Sequence, residues 1–328
     1  MFLQELHKRE KEMLSPYATL SSLAERVRPQ KSDNLRLEFS RDRDRILHSK
    51  AFRRLKHKTQ VFISPDGDHY RTRLTHTLEV SAIARTIARA LKLNEDLTEA
   101  IALAHDLGHT PYGHAGERAL NKFTPFSHAQ QGLRVVDFLE GDGVGINLTM
   151  QVRDGILNHT SKGSPGTLEG QVVSWADRIA YINHDIDDAL RAGVLKPSDI
   201  PDKFSKIFGD THSRRINSMI VDVIEFSSDK NFVSPSEKFR EEIAELRQFM
   251  FDKVYITSEA KVEEHKAVSV VAYLYSYYRQ NLKMLPSYIL NLETSDEQRV
   301  CDYISMMTDR FAVAKFEELN IPKGWAKI

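Results

Sequence analysis

Cysteine is nearly absent from this sequence of 328 residues, which contains only Cys301. A single cysteine excludes an internal disulfide framework and a zinc site built from clustered cysteines. Long apolar runs are missing too, since no uninterrupted stretch approaches the ~18 residues that a membrane-spanning helix needs. The opening segment MFLQELHKRE also lacks the apolar region of a secretory signal. We therefore expect a cytoplasmic protein that does not enter a membrane.

The chain has no excess charge of either sign, because 46 Lys and Arg residues balance 46 Asp and Glu residues. This balance argues against a generic nucleic-acid coat protein. Locally, however, residues 26–58 contain 12 Lys or Arg against four Asp or Glu. The segment is either a solvated helical face or a patch that receives a polyphosphate or a nucleic-acid strand.

Several motifs and strand patterns are missing as well. The chain has no Walker loop, dinucleotide glycine fingerprint or internal repeat. Strand patterns are sparse, and the best is Val61-Phe62-Ile63. With 41% hydrophobic residues the chain can bury a large core, as one domain or two coupled ones. We predict a mainly α-helical protein, in which the aromatic run at 273–278 lies in the core or in a subunit interface.

Histidine is what the sequence does have. Seven of its 13 histidines lie between positions 76 and 184. One His-Asp dipeptide is expected by chance, and a second one occurs at 184–185. The pair His105-Asp106 stands out because His109, His114 and Glu117 follow it closely. Imidazoles and carboxylates together hold a divalent ion and leave positions open for water or phosphate.

Helical periodicity places two of the candidate metal ligands. From Arg73 to Leu91, His76 shares a helical face with Val80 and Ile87, so its ring is predicted to point inward, as a metal ligand or as a satisfied core histidine. Asn94 is a predicted N-cap for the next helix, which would end near Gly108. His105 and Asp106 would then lie at a helix end, from which the following loop can bring further histidines to the same ion.

A third predicted helix covers residues 171–190. At 100° per residue, Asp177, Tyr181 and His184 fall within about 40° of one line. Asp177 is flanked by small and apolar residues, which favours its burial. This helix is therefore expected to supply a carboxylate to the histidine cluster.

The order His76, His105-Asp106, Asp177 resembles the H…HD…D pattern of the HD-domain phosphohydrolases. Longer blocks resemble the bacterial dGTPase-like deoxynucleoside triphosphate triphosphohydrolases. These are AFRRLKHKTQVF at 51–62, RLTHTLEV at 73–80, residues 105–117, ADRIAY at 176–181 with the dipeptide at 184–185, DYI at 302–304 and MTDR at 307–310. The resemblance implies an all-α HD-domain helical bundle with additional C-terminal helices. It suggests an HD core over 1–238 with a basic N-terminal segment, and a helical extension over 239–328.

The resemblance also implies an activity, namely hydrolysis of a dNTP to a deoxynucleoside and inorganic tripolyphosphate. His76, His105, Asp106 and Asp177 would hold one divalent ion, and this donor set suits Mn, Mg, Fe or Co better than a thiolate-type zinc site. The other implied roles follow by group. The acid-base residue is His114, with Glu117 as its partner and His128 beside them. Phosphate contacts are Arg73, Arg178, His109, His159 and Lys58, and sugar contacts are Tyr181, Asp185 and Gln60.

Several points stay open in the sequence. His109 could instead cap a helix, and His128 could be a surface loop residue. Ala129 follows His128 where dGTPase-like proteins usually carry Asn, and its side chain cannot form a hydrogen bond. By analogy we expect a homo-oligomer, with a hexamer as one form. Single-stranded nucleic acid stays open as a further partner. Rival functions are another HD phosphohydrolase, such as a nucleotide phosphatase or cyclic-nucleotide phosphodiesterase, and a non-catalytic dNTP or nucleic-acid sensor.

Overall fold

The computed structural model describes residues 2–31, 33–60, 71–255 and 260–322. Within these ranges the secondary structure is helical and includes no β-strand. The predicted strand at 61–63 lies outside the described residues. The α-helices are α1 (Phe2–Met13), α2 (Glu38–His48), α3 (Lys50–Arg54), α4 (Arg73–Ala90), α5 (Glu95–Ala104), α6 (His114–Leu120), α7 (His128–Arg134), α8 (Met150–Asn158), α9 (Leu168–Arg191), α10 (Asp202–Phe208), α11 (His212–Ser227), α12 (Glu237–Met250), α13 (Ala260–Gln280), α14 (Ser287–Leu290), α15 (Asp296–Ser305) and α16 (Asp309–Asn320). The predicted all-α fold is confirmed.

Local capping explains where the three central helices begin. The side chains of Thr72, Asn94 and Thr167 accept hydrogen bonds from backbone amides three residues later, at the starts of α4, α5 and α9. Such bonds satisfy amide groups that have no partner inside the helix. The predicted N-cap at Asn94 is confirmed, and α9 begins three residues before its predicted start.

The core forms where α4, α5 and α9 pack on one another. Val80, Ile101 and Ile179 are fully buried at these contacts. Helices α2 and α8 cover further sides of α5, and α11 packs on α9. The periodic apolar positions therefore place one face of each central helix in a common core, as the periodicity predicts.

The C-terminal helices pack directly on this core. Helix α12 contacts α9, while α13 contacts α6, α15 and α16. Asp302 on α15 is fully buried and accepts hydrogen bonds from Gln131 and Arg134 on the segment of α7. In the aromatic run, Tyr275 is buried and its ring stacks on Phe123 at 4.2 Å between centroids. The run therefore lies largely in the core.

The arginines of the basic segment are mostly neutralised within the protein. Arg26 is paired with Glu38 and Asp42 at 2.7 and 2.6 Å. Arg43 is paired with Asp96, and Arg45 donates to backbone carbonyls at 146 and 147. This pairing favours a structural role for the segment over a polyanion-binding patch.

Hydropathy along the helices gives one further observation. Among the described helices, none combines the length and apolar composition that crossing a membrane requires.

Candidate metal centre and active site

Three helices bring the predicted metal ligands together. His76 comes from α4, His105 directly follows α5, and Asp177 comes from α9. Oδ1 of Asp177 lies 3.0 Å from Nε2 of His76 and 3.7 Å from Nε2 of His105. The donor atoms of these three residues all fall within 4.8 Å of one another. They therefore form one compact group, although the residues span about a hundred positions of the chain.

The orientation of His105 suits a cation ligand. Its Nδ1 donates to the carbonyl of Ala102 at 2.7 Å, which leaves the lone pair on Nε2. His105 is fully buried, and no hydrogen bond from the described part of the chain reaches Nε2. Leaving such a buried acceptor without a partner costs about 1–3 kcal/mol. A divalent ion bound by the cluster would satisfy it, so the donor set fits a metal of the Mn, Mg or Fe type.

Asp106 lies beside this group, and its carboxylate already contacts two histidines and an arginine. Its Oδ1 is 3.4 Å from Nε2 of His105 and 3.0 Å from Nε2 of His109. Its Oδ2 accepts from Arg73 at 2.8 Å. Burial raises the pKa of Asp106, but the charges of its neighbours outweigh burial and hold that pKa well below the ordinary value. Asp106 can thus join the three-residue group as a fourth, anionic ligand.

A second cluster forms around Glu117 on α6. One carboxylate oxygen lies 3.4 Å from Nδ1 of His114, and both oxygens lie 3.4 Å from Nδ1 of His128. The backbone amide of His128 also donates to Glu117 at 3.1 Å. Burial raises the pKa of Glu117, yet the contacts with both histidines lower it more, so the group stays ionised. The predicted pairing of His114 with Glu117 is present in the structure.

His109 joins this cluster through its ring. The rings of His109 and His128 stack with centroids 4.0 Å apart and planes 12° apart. His109 is not in a helix, and His128 is the first residue of α7 rather than a surface loop residue. The two histidines therefore line the space between the metal donors and Glu117. Ala129, the position that departs from the family pattern, is buried next to His128.

Two glycines allow this close arrangement. Gly113 has φ of +53° just before α6, and a Cβ there would lie 2.8 Å from the guanidinium of Arg73. At Gly108, a Cβ would lie 2.1 Å from the carbonyl oxygen of His128. Glycine is favoured at Gly113 by the positive φ and at Gly108 by the close approach of another backbone segment.

One cavity of about 1450 Å³ connects these groups. Most of the residues predicted to contact metal or substrate line it. These are Gln60, Arg73, His76, Asp106, His109, His114, Glu117, His128, His159, Asp177, Arg178, Tyr181 and Asp185. His105 is fully buried behind the cavity and presents Nε2 to the donor group.

Lys58 is the exception among the predicted substrate contacts. Its ammonium group donates to the backbone carbonyls of His109 and Ser305 and does not line the cavity. Burial lowers the pKa of Lys58 to about 7. The position of Lys58 therefore indicates that its ammonium group holds the backbone at His109 in place. It does not support a direct contact between Lys58 and the triphosphate.

The remaining predicted contacts lie along α9. Arg178 stacks its guanidinium 4.4 Å from the Trp175 ring centre and donates to Ser174 at 3.2 Å. Tyr181 lies about one turn and Asp185 about two turns further along α9, and Asp185 is fully buried. Burial raises the pKa of Tyr181 and of Asp185 above their ordinary values. A phenol and a carboxyl group in a dry wall can recognise a hydroxyl group of a substrate.

The cavity also includes a wall that the sequence interpretation missed. This wall is formed by Arg240, Ile243 and Arg247 on α12 and by Phe251 just after the helix. Their spacing of three, four and four residues puts them on one helical face. The sequence shows this helical periodicity, but it does not show which part of the protein the face contacts.

Comparison with known proteins agrees with this geometry. The HD domain model matches residues 73–182, and the phosphohydrolase-associated domain model matches residues 233–318. A "Deoxyguanosinetriphosphate triphosphohydrolase-like protein" of Caldanaerobacter subterraneus subsp. tengcongensis is 56% identical over 96% of this chain and 95% of its own length. A protein of the same description from Desulfatibacillum aliphaticivorans is 44% identical over 97% of this chain and 98% of its own length.

Among solved structures, a phosphohydrolase from Bacteroides thetaiotaomicron superposes with a TM-score of 0.51 at 18% identity. The match covers 85% of this chain and 69% of the other. At that identity the likeness shows a shared fold alone. The sequence relatives carry more, because they match along nearly their whole length. The chain belongs to the deoxyguanosinetriphosphate triphosphohydrolase-like family of HD-domain phosphohydrolases.

Proposed function

We propose that this phosphohydrolase converts a dNTP and water into a deoxynucleoside and inorganic tripolyphosphate. The observation that carries the proposal is the single cavity lined by metal donors, by the histidine-glutamate cluster and by several arginines. A triphosphate ester needs each of these groups at one place. Two relatives of this protein are named deoxyguanosinetriphosphate triphosphohydrolase-like proteins. Their names support a purine deoxynucleotide as one substrate to test.

Substrate binding would depend first on attraction between arginines of the cavity and the negative charge of the triphosphate. Arg73 and Arg178 line the cavity, and Arg240 and Arg247 add positive charge from α12. Together they would offset the charge of a triphosphate before its α-phosphorus can be attacked. Tyr181 and Asp185 would contact the 3′ hydroxyl of the sugar, with Gln60 on its other side. His109 and His159 would contact phosphate oxygens.

The reaction needs one bond formed and one broken. The oxygen of water bonds to the α-phosphorus and loses one proton, while the bond from phosphorus to the 5′ oxygen breaks and that oxygen gains one proton. A divalent ion held by His76, His105, Asp106 and Asp177 would polarise the phosphate and lower the pKa of bound water. His114 would give a proton to the departing 5′ oxygen, while Glu117 accepts from its Nδ1 and orients the ring. His128 would hold Glu117 from the other side.

The products decide between this proposal and its rivals. Purified protein is incubated with each of the four dNTPs and Mn²⁺, Mg²⁺ or Co²⁺, singly and with nucleotides mixed, and products are resolved by ion exchange. Deoxynucleoside with tripolyphosphate is the expected result. Orthophosphate, diphosphate or a nucleoside monophosphate would point to another HD phosphohydrolase, and binding without turnover would point to a sensor. Native mass measurement of the same sample tests the proposed homo-oligomer.

A further inference from the structure

The two histidines of the metal group have different means of orientation. His105 follows the end of α5, so its Nδ1 reaches the carbonyl of Ala102 on its own helix. His76 lies within α4, and its Nδ1 instead faces Nδ1 of His184 on α9 at 3.4 Å. The rings of His76 and His184 are both buried, with 1% of each residue's surface exposed. The orientation of His76 therefore depends on a second histidine, one to which the proposed mechanism gives no role.

Glu79 favours one tautomer of His184. Nε2 of His184 lies 3.3 Å from Oε2 of Glu79. A carboxylate can only accept a hydrogen bond, so this contact favours the tautomer with the proton on Nε2 of His184 and the lone pair on its Nδ1. Without a cation, the carboxylate of Asp177, 3.0 Å away, accepts a hydrogen bond from Nε2 of His76. When a cation occupies the lone pair of that Nε2, the ring carries its proton on Nδ1, which then donates to Nδ1 of His184. The ring of His76 is thereby held with Nε2 within the metal group.

Arg71 holds the far end of this chain of contacts. Its Nε lies 3.2 Å from Oε2 of Glu79. Its Nη1 lies 3.0 Å from Asp187 and 2.8 Å from Asp188, both on α9. Arg71 thus ties Glu79 to the same helix that carries His184. This arrangement keeps the carboxylate in place as an acceptor.

We propose that Glu79 and His184 are positioning residues that fix the tautomer and ring orientation of His76 for metal binding. The inference rests on the metal group of the proposed function but not on its substrate. Metal-bound histidines commonly depend on a hydrogen bond to the other ring nitrogen, and loss of that partner weakens metal binding about 10–100-fold. The partner here is itself a histidine, so its tautomer must also be set, and Glu79 sets it.

The tautomer is measurable in the metal-free protein. Nitrogen-15 NMR of histidine-labelled protein, with the His184 ring identified by its loss in His184→Asn, reports which nitrogen carries the proton. The expected result is a neutral His184 ring protonated on Nε2 and unprotonated on Nδ1. A ring protonated on Nδ1 would overturn the proposal, because Glu79 would then not hold the proton of His184 on Nε2.

Metal affinity provides the second test. Mn²⁺ binding is measured by calorimetry for three variants that separate the acceptor from packing. His184→Leu removes the acceptor, and we expect Mn²⁺ affinity to fall about 10–100-fold. His184→Asn puts an amide oxygen near the place of Nδ1 and should recover most of that loss. The control is His212→Leu, since the His212 ring lies 5.9 Å from His184 without joining the chain of contacts.

Each outcome of the metal test has a distinct meaning. Wild-type affinity in His184→Leu, or equal losses in His184→Leu and His184→Asn, would overturn the positioning role. If His184→Leu does not fold, the comparison of His184→Asn with His212→Leu and the NMR spectrum decide the question. If the wild-type protein binds no Mn²⁺, the metal group of the proposed function fails. The tautomer spectrum of the metal-free protein then still decides the role of Glu79.

Discussion

Arg73 and Asp106 form a buried ion pair of 2.8 Å that joins the first residue of α4 to the residue after His105. Their side chains are only 3% and 5% exposed. The pair offsets the charge of Asp106 when no cation is bound. It also places a guanidinium at the wall of the cavity, so that one residue can serve both stability and phosphate binding.

Arg73→Gln is expected to destabilise the metal-free protein by about 3 kcal/mol, since it leaves a buried carboxylate without its partner. Bound Mn²⁺ should reduce this loss, because the cation offsets the same charge. Urea unfolding with and without Mn²⁺ measures both quantities. Arg85→Gln is the control on the same helix, because Arg85 is 41% exposed and pairs with Glu99 at the surface. That change should cost at most about 1 kcal/mol, and equal losses in the two variants would contradict the expectation.

How much of the site was predictable depends on the range of each contact. The starts of α4 and α5 and the inward direction of His76 follow from caps and apolar periodicity, which act over a few residues. The placement of Lys58 does not, because its partner carbonyl at Ser305 is 247 positions away. For the same reason the sequence shows that Arg247 shares a helical face with its neighbours but not that this face lines the cavity. Local patterns determine helices, whereas long-range packing determines their contacts.

Metal binding and proton transfer should separate by mutation. Asp177→Ala removes the carboxylate that lies beside His76 and His105 in the proposed metal group, so Mn²⁺ binding and turnover should be lost together. His114→Ala leaves that group intact and should retain Mn²⁺ affinity while turnover falls by about 10²–10⁴-fold. Calorimetry and product analysis on the same preparations check this. Near-normal turnover in His114→Ala would contradict its role in proton transfer.

Glu117→Gln should resemble His114→Ala if Glu117 orients the His114 ring, as the proposed mechanism requires. Combining the two changes should cost little more than either one alone, as expected for residues that act as a unit. Turnover of the two single variants and the double variant gives the coupling. Strictly additive losses would mean that Glu117 acts through His128 or on its own.

The buried Lys58 predicts a pH dependence of stability. Its pKa is about 7 in the folded protein, below the ordinary 10.5, because burial disfavours the charged form. Between these two values the unfolded chain binds the proton more strongly, so this residue's contribution to stability should rise as pH rises from about 7 to about 10.5. Below pH 7 both states are protonated and the contribution is constant. Lys58→Met should lack this rise, and unfolding free energies of both proteins across that range test it.

Gly108→Ala tests the close approach of α7 to the segment that follows α5. The added Cβ would meet backbone atoms of His128 and Gly132 at 2.1 and 2.2 Å, so α7 must move or the chain must unfold partly. We expect a loss of about 1–3 kcal/mol in unfolding free energy, as for an overpacked core. Turnover should fall further than Mn²⁺ affinity, because His128 moves while the metal donors do not. At Gly166 an added Cβ makes only ordinary contact, with its nearest atom 3.5 Å away, so Gly166→Ala is the matched control. If Gly108→Ala keeps both wild-type stability and wild-type turnover, the packing of His128 against this segment does not position the catalytic cluster.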